Sequence, residues 1–184
     1  CTMIQGYGQT EGMTMTFLSQ EDHERAIAGA HTERLGSCGR AGFITDIQVV
    51  DPAGHAVPKD GHTYGEIVVR SEANMVGYWR RPDLTAQTLR DGWMWTGDIA
   101  VWDEEGYVFI VDRAKDMIIS GGENIFSTQV EAAIHQHPDV LESAVFGVPD
   151  DVWGEAVKAV VVLKPGCTAT AEEIIAETSK HLAS

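Results

Sequence analysis

Positive charge is scarce in this sequence: 13 Lys and Arg stand against 28 Asp and Glu, a formal net charge of −15. Residues 1–114 carry 9 basic and 17 acidic side chains, and residues 115–184 carry 4 and 11. With no basic cluster in either part, nucleic-acid binding by phosphate neutralisation is excluded as a partner class. Cysteine is scarce too. Cys1, Cys38 and Cys167 are too far apart for a disulfide framework or a zinc site, which fits a reducing, cytoplasmic location. No apolar run approaches the ~20 residues that span a bilayer, so no transmembrane segment is expected. The N-terminus has no basic region followed by an apolar one, as a signal peptide would. His135 and His137 stand two apart on a helix pattern and point to different faces, which argues against a metal site there. There is no internal repeat. The chain opens on Cys1 without an initiator Met, so a piece of a longer protein is expected.

What is present divides at a charged connector. In Val111–Ser127, VDRAKDMIISGGENIFS, four charges (Asp112, Arg113, Lys115, Asp116) lie between two apolar runs. Before it, strands are expected at Ile44–Val50, Tyr64–Arg70 and Met75–Trp79. A hairpin is expected from Ile99–Trp102 and Tyr107–Val111 around Asp103-Glu104-Glu105-Gly106. Ser19 with Asp22 predicts a capped helix through Ile27, and Pro82 starts another that Asp91-Gly92 stops. Short strands at close spacing predict a small distorted barrel. After the connector, Thr128 and Glu131 have capping-box spacing before Val130, Ala133 and Ile134. Val140–Val148 and Glu155–Leu163 read as strands. Thr170 and Glu173 repeat the capping spacing before a helix expected to run to the end. The fold class is therefore mixed α/β: a β-rich part over 1–114 and a small α+β domain over 115–184.

Two loops offer chemistry. Gly6, Gly8 and Gly12 surround Tyr7, Gln9, Thr10 and Glu11. That places a ring, backbone N–H groups, a hydroxyl and a carboxylate within a few residues, the groups a nucleotide and its Mg²⁺ require. A glycine-rich turn between strands explains the same residues. Ser120-Gly121-Gly122 allows a sharp turn or a close approach of backbone to ligand.

Together, YGQTEG (7–12), GYW (77–79), TGD (96–98), DRAKD (112–116) and SGGENI (120–125) occur in one order. In this the chain closely resembles the acyl- and aryl-CoA synthetases of the adenylate-forming superfamily, alongside peptide-synthetase adenylation domains and luciferase. The resemblance implies the β-rich distal part of a large AMP-binding domain, followed by a small C-terminal domain. It implies ATP or AMP, Mg²⁺ and CoA as cofactors, and a carboxylic acid as substrate. Within the family a carboxylate attacks the α-phosphate of ATP, the small domain rotates, and the CoA thiol attacks the acyl-adenylate. By resemblance, Tyr7 with Gly8 and Gln9 meets adenine, Thr10 contacts phosphate and Glu11 holds Mg²⁺. Asp98 accepts the ribose hydroxyls, and Arg113 reaches ribose or phosphate. Lys115 falls at the hinge. Gly121 and Gly122 let the pantetheine arm pass, and Gln5, Gly6, Gly12 and Met13 lie near the acyl group.

Two departures shape the expectation. The family's Ser/Thr/Gly-rich phosphate loop ending in Lys-Gly lies upstream of YGQTEG and has no counterpart in these residues. Nor does the Gly-Lys motif carrying the adenylation lysine, since Lys158, Lys164 and Lys180 have other neighbours. Asn124 also stands where some members have Arg. The parent is expected to be a carboxylate–CoA ligase, and the 184 residues alone to be inactive. A domain that loads a carrier protein, or a non-catalytic nucleotide-binding or structural fragment, are the alternatives. The acid and the oligomeric state are not legible.

Overall fold

The computed structural model describes residues 3–182. The chain divides into two compact units, Cys1–Ile110 and Val111–Ser184.

Unit 1 opens with a hairpin of β1 (Gln5–Gln9) and β2 (Met13–Leu18), extended by β3 (Arg40–Ala41). Helix α1 (Gln20–Ile27) follows. The Ser19 hydroxyl accepts the Asp22 N–H, and the Asp22 carboxylate accepts the Ser19 N–H, so both orphan donors are satisfied. Next come β4 (Thr45–Val50), β5 (Gly65–Ser71), α2 (Pro82–Thr88), β6 (Leu89–Arg90), β7 (Trp93–Trp102) and β8 (Val108–Arg113). They form a curled half-barrel sheet in the order β4-β5-β7-β6, with β8 also paired to β7. Between β6 and β7, Asp91 and Gly92 both have positive φ, as a two-residue turn matched to strand twist requires. Met15, Val49, Ile67, Val69, Met94, Ala100 and Val108 fill the core. Burial of this kind stabilises by roughly 1.5–3 kcal/mol per large side chain.

Unit 2 holds the end of β8, then β9 (Ile118–Ser120), β10 (Glu123–Ile125), α3 (Ser127–Ile134), β11 (Val140–Asp150), β12 (Gly154–Leu163) and α4 (Ala171–Thr178). The strands order as β10-β9-β12-β11. Ile118, Val130, Ile134, Val140, Val145 and Ile174 make the second core. The division falls inside β8, four residues before the expected boundary. Asp112 is no exposed linker charge: it is buried and accepts the Ser127 hydroxyl at 2.8 Å, beside the first turn of α3.

Several expectations are corrected. Met75–Trp79 is a loop, not a strand: Met75 N–H is given to Glu11 O at 2.6 Å and Tyr78 N–H to Thr85 Oγ1 at 2.9 Å, so no ladder forms. YGQTEG is half strand, since Tyr7, Gly8 and Gln9 pair along β2. Thr128 and Glu131 form no capping box. The Thr128 hydroxyl donates to Val111 O, and the Glu131 carboxylate accepts the Val145 N–H. Helix α4 stops at Thr178, although its Thr170–Glu173 box is present. The short strand β10 was not expected, because three residues after two glycines carry no periodicity. Cys1 lies outside the described residues.

Candidate functional site

The β1–β2 hairpin sets the site. Its strands approach so closely that a Cβ on Gly8 would sit 1.9 Å from Met13 O. Glycine at 8 is thus required by the hairpin itself, at a bulge between Tyr7 and Gly8. Gly12 closes the turn by giving its N–H to Gln9 O at 3.1 Å, and it is buried against Met15 and Met94. Thr10 and Glu11 therefore sit at the hairpin tip. Gln5 and Gly6 lie back along β1, where the Gln5 amide donates to Ser37 O at 3.1 Å. Met13 is largely exposed and holds a positive φ of 56°.

Two of the expected residues meet directly. Tyr7 Oη donates to Asp98 Oδ2 at 2.6 Å, joining β1 to β7 across 91 residues of sequence. Burial pushes the Tyr7 phenol far up, and the bond to Asp98 pushes it further, so it stays a donor at any physiological pH. Asp98 is 9% exposed. It lies in a bulge of β7, which makes TGD an interruption inside one strand and not the end of one. The Thr96 hydroxyl donates to Ile67 O at 2.9 Å and accepts the Asp98 N–H at 3.1 Å, while Gly97 gives its N–H to Glu66 Oε1 at 2.9 Å.

Glu11 is held by the GYW segment. Tyr78 Oη donates to Glu11 Oε1 at 2.8 Å, and the Glu11 carbonyl takes the Met75 N–H. Burial raises the Tyr78 phenol, and the Glu11 bond adds to it. Among the described residues no group of three or more His, Cys, Asp and Glu could hold a metal ion. A single oriented carboxylate still suits Mg²⁺, which keeps several waters and takes most of its protein-side help from substrate phosphates. The Glu11 carboxylate fits that role.

Arg113, Lys115, Gly121 and Gly122 belong to unit 2. The Arg113 N–H is given to Asp112 Oδ1, and its carbonyl accepts from Asp116 and Met117, closing a turn around Lys115. Lys115 is exposed, 4.0 Å from Asp116. Gly121 has a φ of +60°, and a Cβ there would strike the Trp153 ring at 2.9 Å. Gly122 has positive φ and open space around it. Asn124 lies in β10.

Sequence reasoning assigned no role to Tyr78, Thr96 or Glu66, although the first two stand in quoted motifs. The signal for Tyr78 was its place in the GYW motif. For Glu66 there was none, since its partner lies 31 residues away. A cavity of about 790 Å³ elsewhere on unit 1, lined by Phe17, Phe43, Arg40 and Trp102, contains none of the expected residues.

Comparison with known proteins identifies the family. The family model described as AMP-binding enzyme matches residues 1–79, and that described as AMP-binding enzyme C-terminal domain matches 129–184. A feruloyl-CoA synthase from Amycolatopsis sp is 44% identical over 180 residues, covering 98% of this chain and 35% of the relative. A medium/long-chain-fatty-acid–CoA ligase from Mycobacterium tuberculosis is 42% identical over 177 residues, 96% of this chain and 29% of the relative. The structure of o-succinylbenzoate CoA synthetase from Bacillus subtilis, in complex with its acyl-adenylate intermediate, superposes with a TM-score of 0.82 at 33% identity. It covers 98% of this chain and 35% of that one. The chain thus spans about a third of the length of these relatives. With both family models matching in order along it, and the Tyr7–Asp98 and Glu11 geometry in place, the chain belongs to the adenylate-forming, AMP-binding enzymes.

Proposed function

We propose that the protein carrying this chain is a carboxylate–CoA ligase for a fatty or aryl acid. The carrying observation is a pair of carboxylates each held by a tyrosine hydroxyl: Asp98 of β7 by Tyr7 of β1, and Glu11 of the hairpin tip by Tyr78. The ligase relatives named above support the reading. In the first half-reaction a carboxylate oxygen attacks the α-phosphorus of ATP and pyrophosphate leaves. In the second the CoA thiolate attacks the acyl carbon and AMP leaves.

Each expected residue has a part that its surroundings permit. Asp98 can accept ribose hydroxyls with lone pairs that Tyr7 does not use, because an ionised carboxylate has about four acceptor sites. Tyr7, fixed at its hydroxyl, offers a ring that cannot swing away from adenine. Thr10, exposed at the tip, offers a hydroxyl to phosphate. Glu11 would hold Mg²⁺, which when bound neutralises charge on the phosphates. Arg113 belongs to the ribose or phosphate contact. Gly121 and Gly122 belong to the passage for CoA, and Lys115 to a hinge between parts 1–114 and 115–184. Gln5, Gly6, Gly12 and Met13 contribute one wall of the acyl pocket. The 184 residues alone do not turn over, because neither the phosphate loop nor the Gly-Lys lysine is among them. A cytoplasmic location is part of the same proposal, because the three widely spaced cysteines suit a reducing environment.

The test is ATP–pyrophosphate exchange, then CoA-dependent AMP release, by the longest natural polypeptide that carries this sequence, against fatty acids of graded length and hydroxycinnamic acids. Exchange with at least one carboxylate, and thioester formation only when CoA is added, is expected. No exchange with any of them refutes the reading. Transfer to a carrier protein but not to CoA would select the carrier-loading alternative.

A further inference from the structure

Glu66 carries a half-buried carboxylate for which the reaction has no use. It sits at the point where the β5–β7 ladder breaks. Glu66 pairs with Ile99 and Val68 with Trp95, so the single residue Ile67 of β5 faces Thr96, Gly97 and Asp98 of β7. An insertion of that size leaves ladder donors and acceptors without strand partners, and an unpaired buried polar group is costly.

In this bulge the partners come from two side chains. Thr96 bridges Ile67 O and the Asp98 N–H with one hydroxyl. Glu66 takes the Gly97 N–H at 2.9 Å. Gly97 has a φ of +75°, a backbone state open to glycine, and the Glu66 bond ties it there. The bulge matters because it puts Asp98 beside Tyr7 and not in register along β7, where alternation would fix its side chain differently. Burial raises the Glu66 carboxyl above its ordinary value, while the Gly97 N–H and Arg90, which stacks over Trp95 at 4.4 Å, act in the opposite direction.

We infer that Glu66 is a positioning residue for the nucleotide site: its Oε1 holds the Gly97 N–H, locks the Thr96–Gly97–Asp98 bulge, and so sets where the Asp98 carboxylate stands. This rests on the reading of Asp98 as the ribose acceptor. The function asked of Glu66 is acceptance of one hydrogen bond and not charge. Glutamine can do the same through its amide oxygen; leucine fills the space and cannot.

The experiment compares Glu66→Gln, Glu66→Leu and Asp98→Ala in the longest natural polypeptide that carries this sequence, with AMP as the probe in calorimetry and the Gly97 amide followed by NMR. Glu66→Gln is expected to keep AMP affinity within about threefold while moving the Gly97 amide shift, since a neutral acceptor replaces a carboxylate. Glu66→Leu is expected to weaken AMP about tenfold and to speed Gly97 amide exchange about tenfold, the equivalent of one hydrogen bond. If Asp98→Ala weakens AMP and Glu66→Leu does not, the positioning role is wrong. If Asp98→Ala leaves AMP affinity untouched, the ribose reading fails by itself, and the lock is then judged on Gly97 alone. A protected Gly97 amide in Glu66→Leu overturns it. Should the leucine variant not fold, an unmoved Gly97 amide shift in Glu66→Gln overturns it equally.

Discussion

Replacing Tyr78 by phenylalanine removes one oxygen, and the expected effect on stability can be separated from that on the proposed Mg²⁺ contact of Glu11. The lost bond is the one from Tyr78 Oη to Glu11 Oε1, 2.8 Å long and partly solvated. Because water can replace the phenol, no carboxylate is stranded, and the loss is about 1 kcal/mol. The turn itself keeps its other ties: Met75 N–H to Glu11 O at 2.6 Å, Gly12 N–H to Gln9 O, and Tyr78 N–H to Thr85 Oγ1. For a unit of this size a melting point lower by roughly 4–6 °C follows. The effect on Mg²⁺ is larger in proportion. A carboxylate fixed at one oxygen presents the other in a defined direction, and removing such an outer partner commonly weakens metal affinity or activity by about 10–100-fold. The assay is pyrophosphate exchange at fixed ATP with Mg²⁺ varied. Half-saturation is expected at about tenfold or more higher Mg²⁺ in Tyr78→Phe, with full rate recovered at excess metal. If half-saturation moves less than twofold while the melting point falls, Tyr78 serves the fold alone and Glu11 is not a metal ligand.

Three further outcomes follow from the geometry. Gly39→Ala should destabilise unit 1 by about 2–5 kcal/mol, because φ is +88° and the new Cβ would overlap Phe17 backbone at 2.1 Å; a chemical denaturation midpoint equal to the parent's would refute this. The Asp60 carboxyl is lowered to about 2 by the Thr63 hydroxyl and by the Thr63 and His62 N–H groups. A depressed carboxyl contributes stability above its ordinary value of 3.8 that is lost as pH falls through about 2. The His62 and Thr63 amide shifts should accordingly titrate with a midpoint near 2 and not near 3.8. Lys115→Pro should affect adenylation and thioester formation unequally, since φ is locked while the turn's two donors, Asp116 and Met117, are retained; equal losses, or none, would make Lys115 an ordinary turn residue.

Local rules were legible where no distant group competed with them. Ser19 caps its helix as predicted, closing a box with Asp22, and Thr170–Glu173 close the box that their spacing predicts. Thr128 and Glu131 have the same spacing and do not, because Val111 O and the Val145 N–H claim their side chains first. The failure at Met75–Trp79 is of the same kind. Val76 and Trp79 are apolar, yet they end up exposed, because the main chain around them is drawn to Glu11 and Thr85. The family was legible in five ordered motifs, but the reason for a glycine was not. Gly8 and Gly12 read as a loop offering backbone N–H groups or as a turn between strands, and the structure packs them against Met13 backbone, Met15 and Met94.

A chain with net charge −15 whose proposed nucleotide site includes two carboxylates faces a choice of how to orient them. A lysine or arginine would hold a carboxylate firmly and would also cancel its charge, leaving less to attract a cation and occupying the lone pairs that a ligand needs. A phenol donates one hydrogen bond and supplies no charge. Both central carboxylates here are held that way, Asp98 by Tyr7 and Glu11 by Tyr78, and both phenols are shifted upward so that they remain donors. Glu66 takes the Gly97 N–H beside Asp98. Substituting Tyr7 or Tyr78 by a cationic residue would keep an oriented, ionised carboxylate but offset its charge locally, which is the sense in which these two tyrosines are not interchangeable with stronger donors.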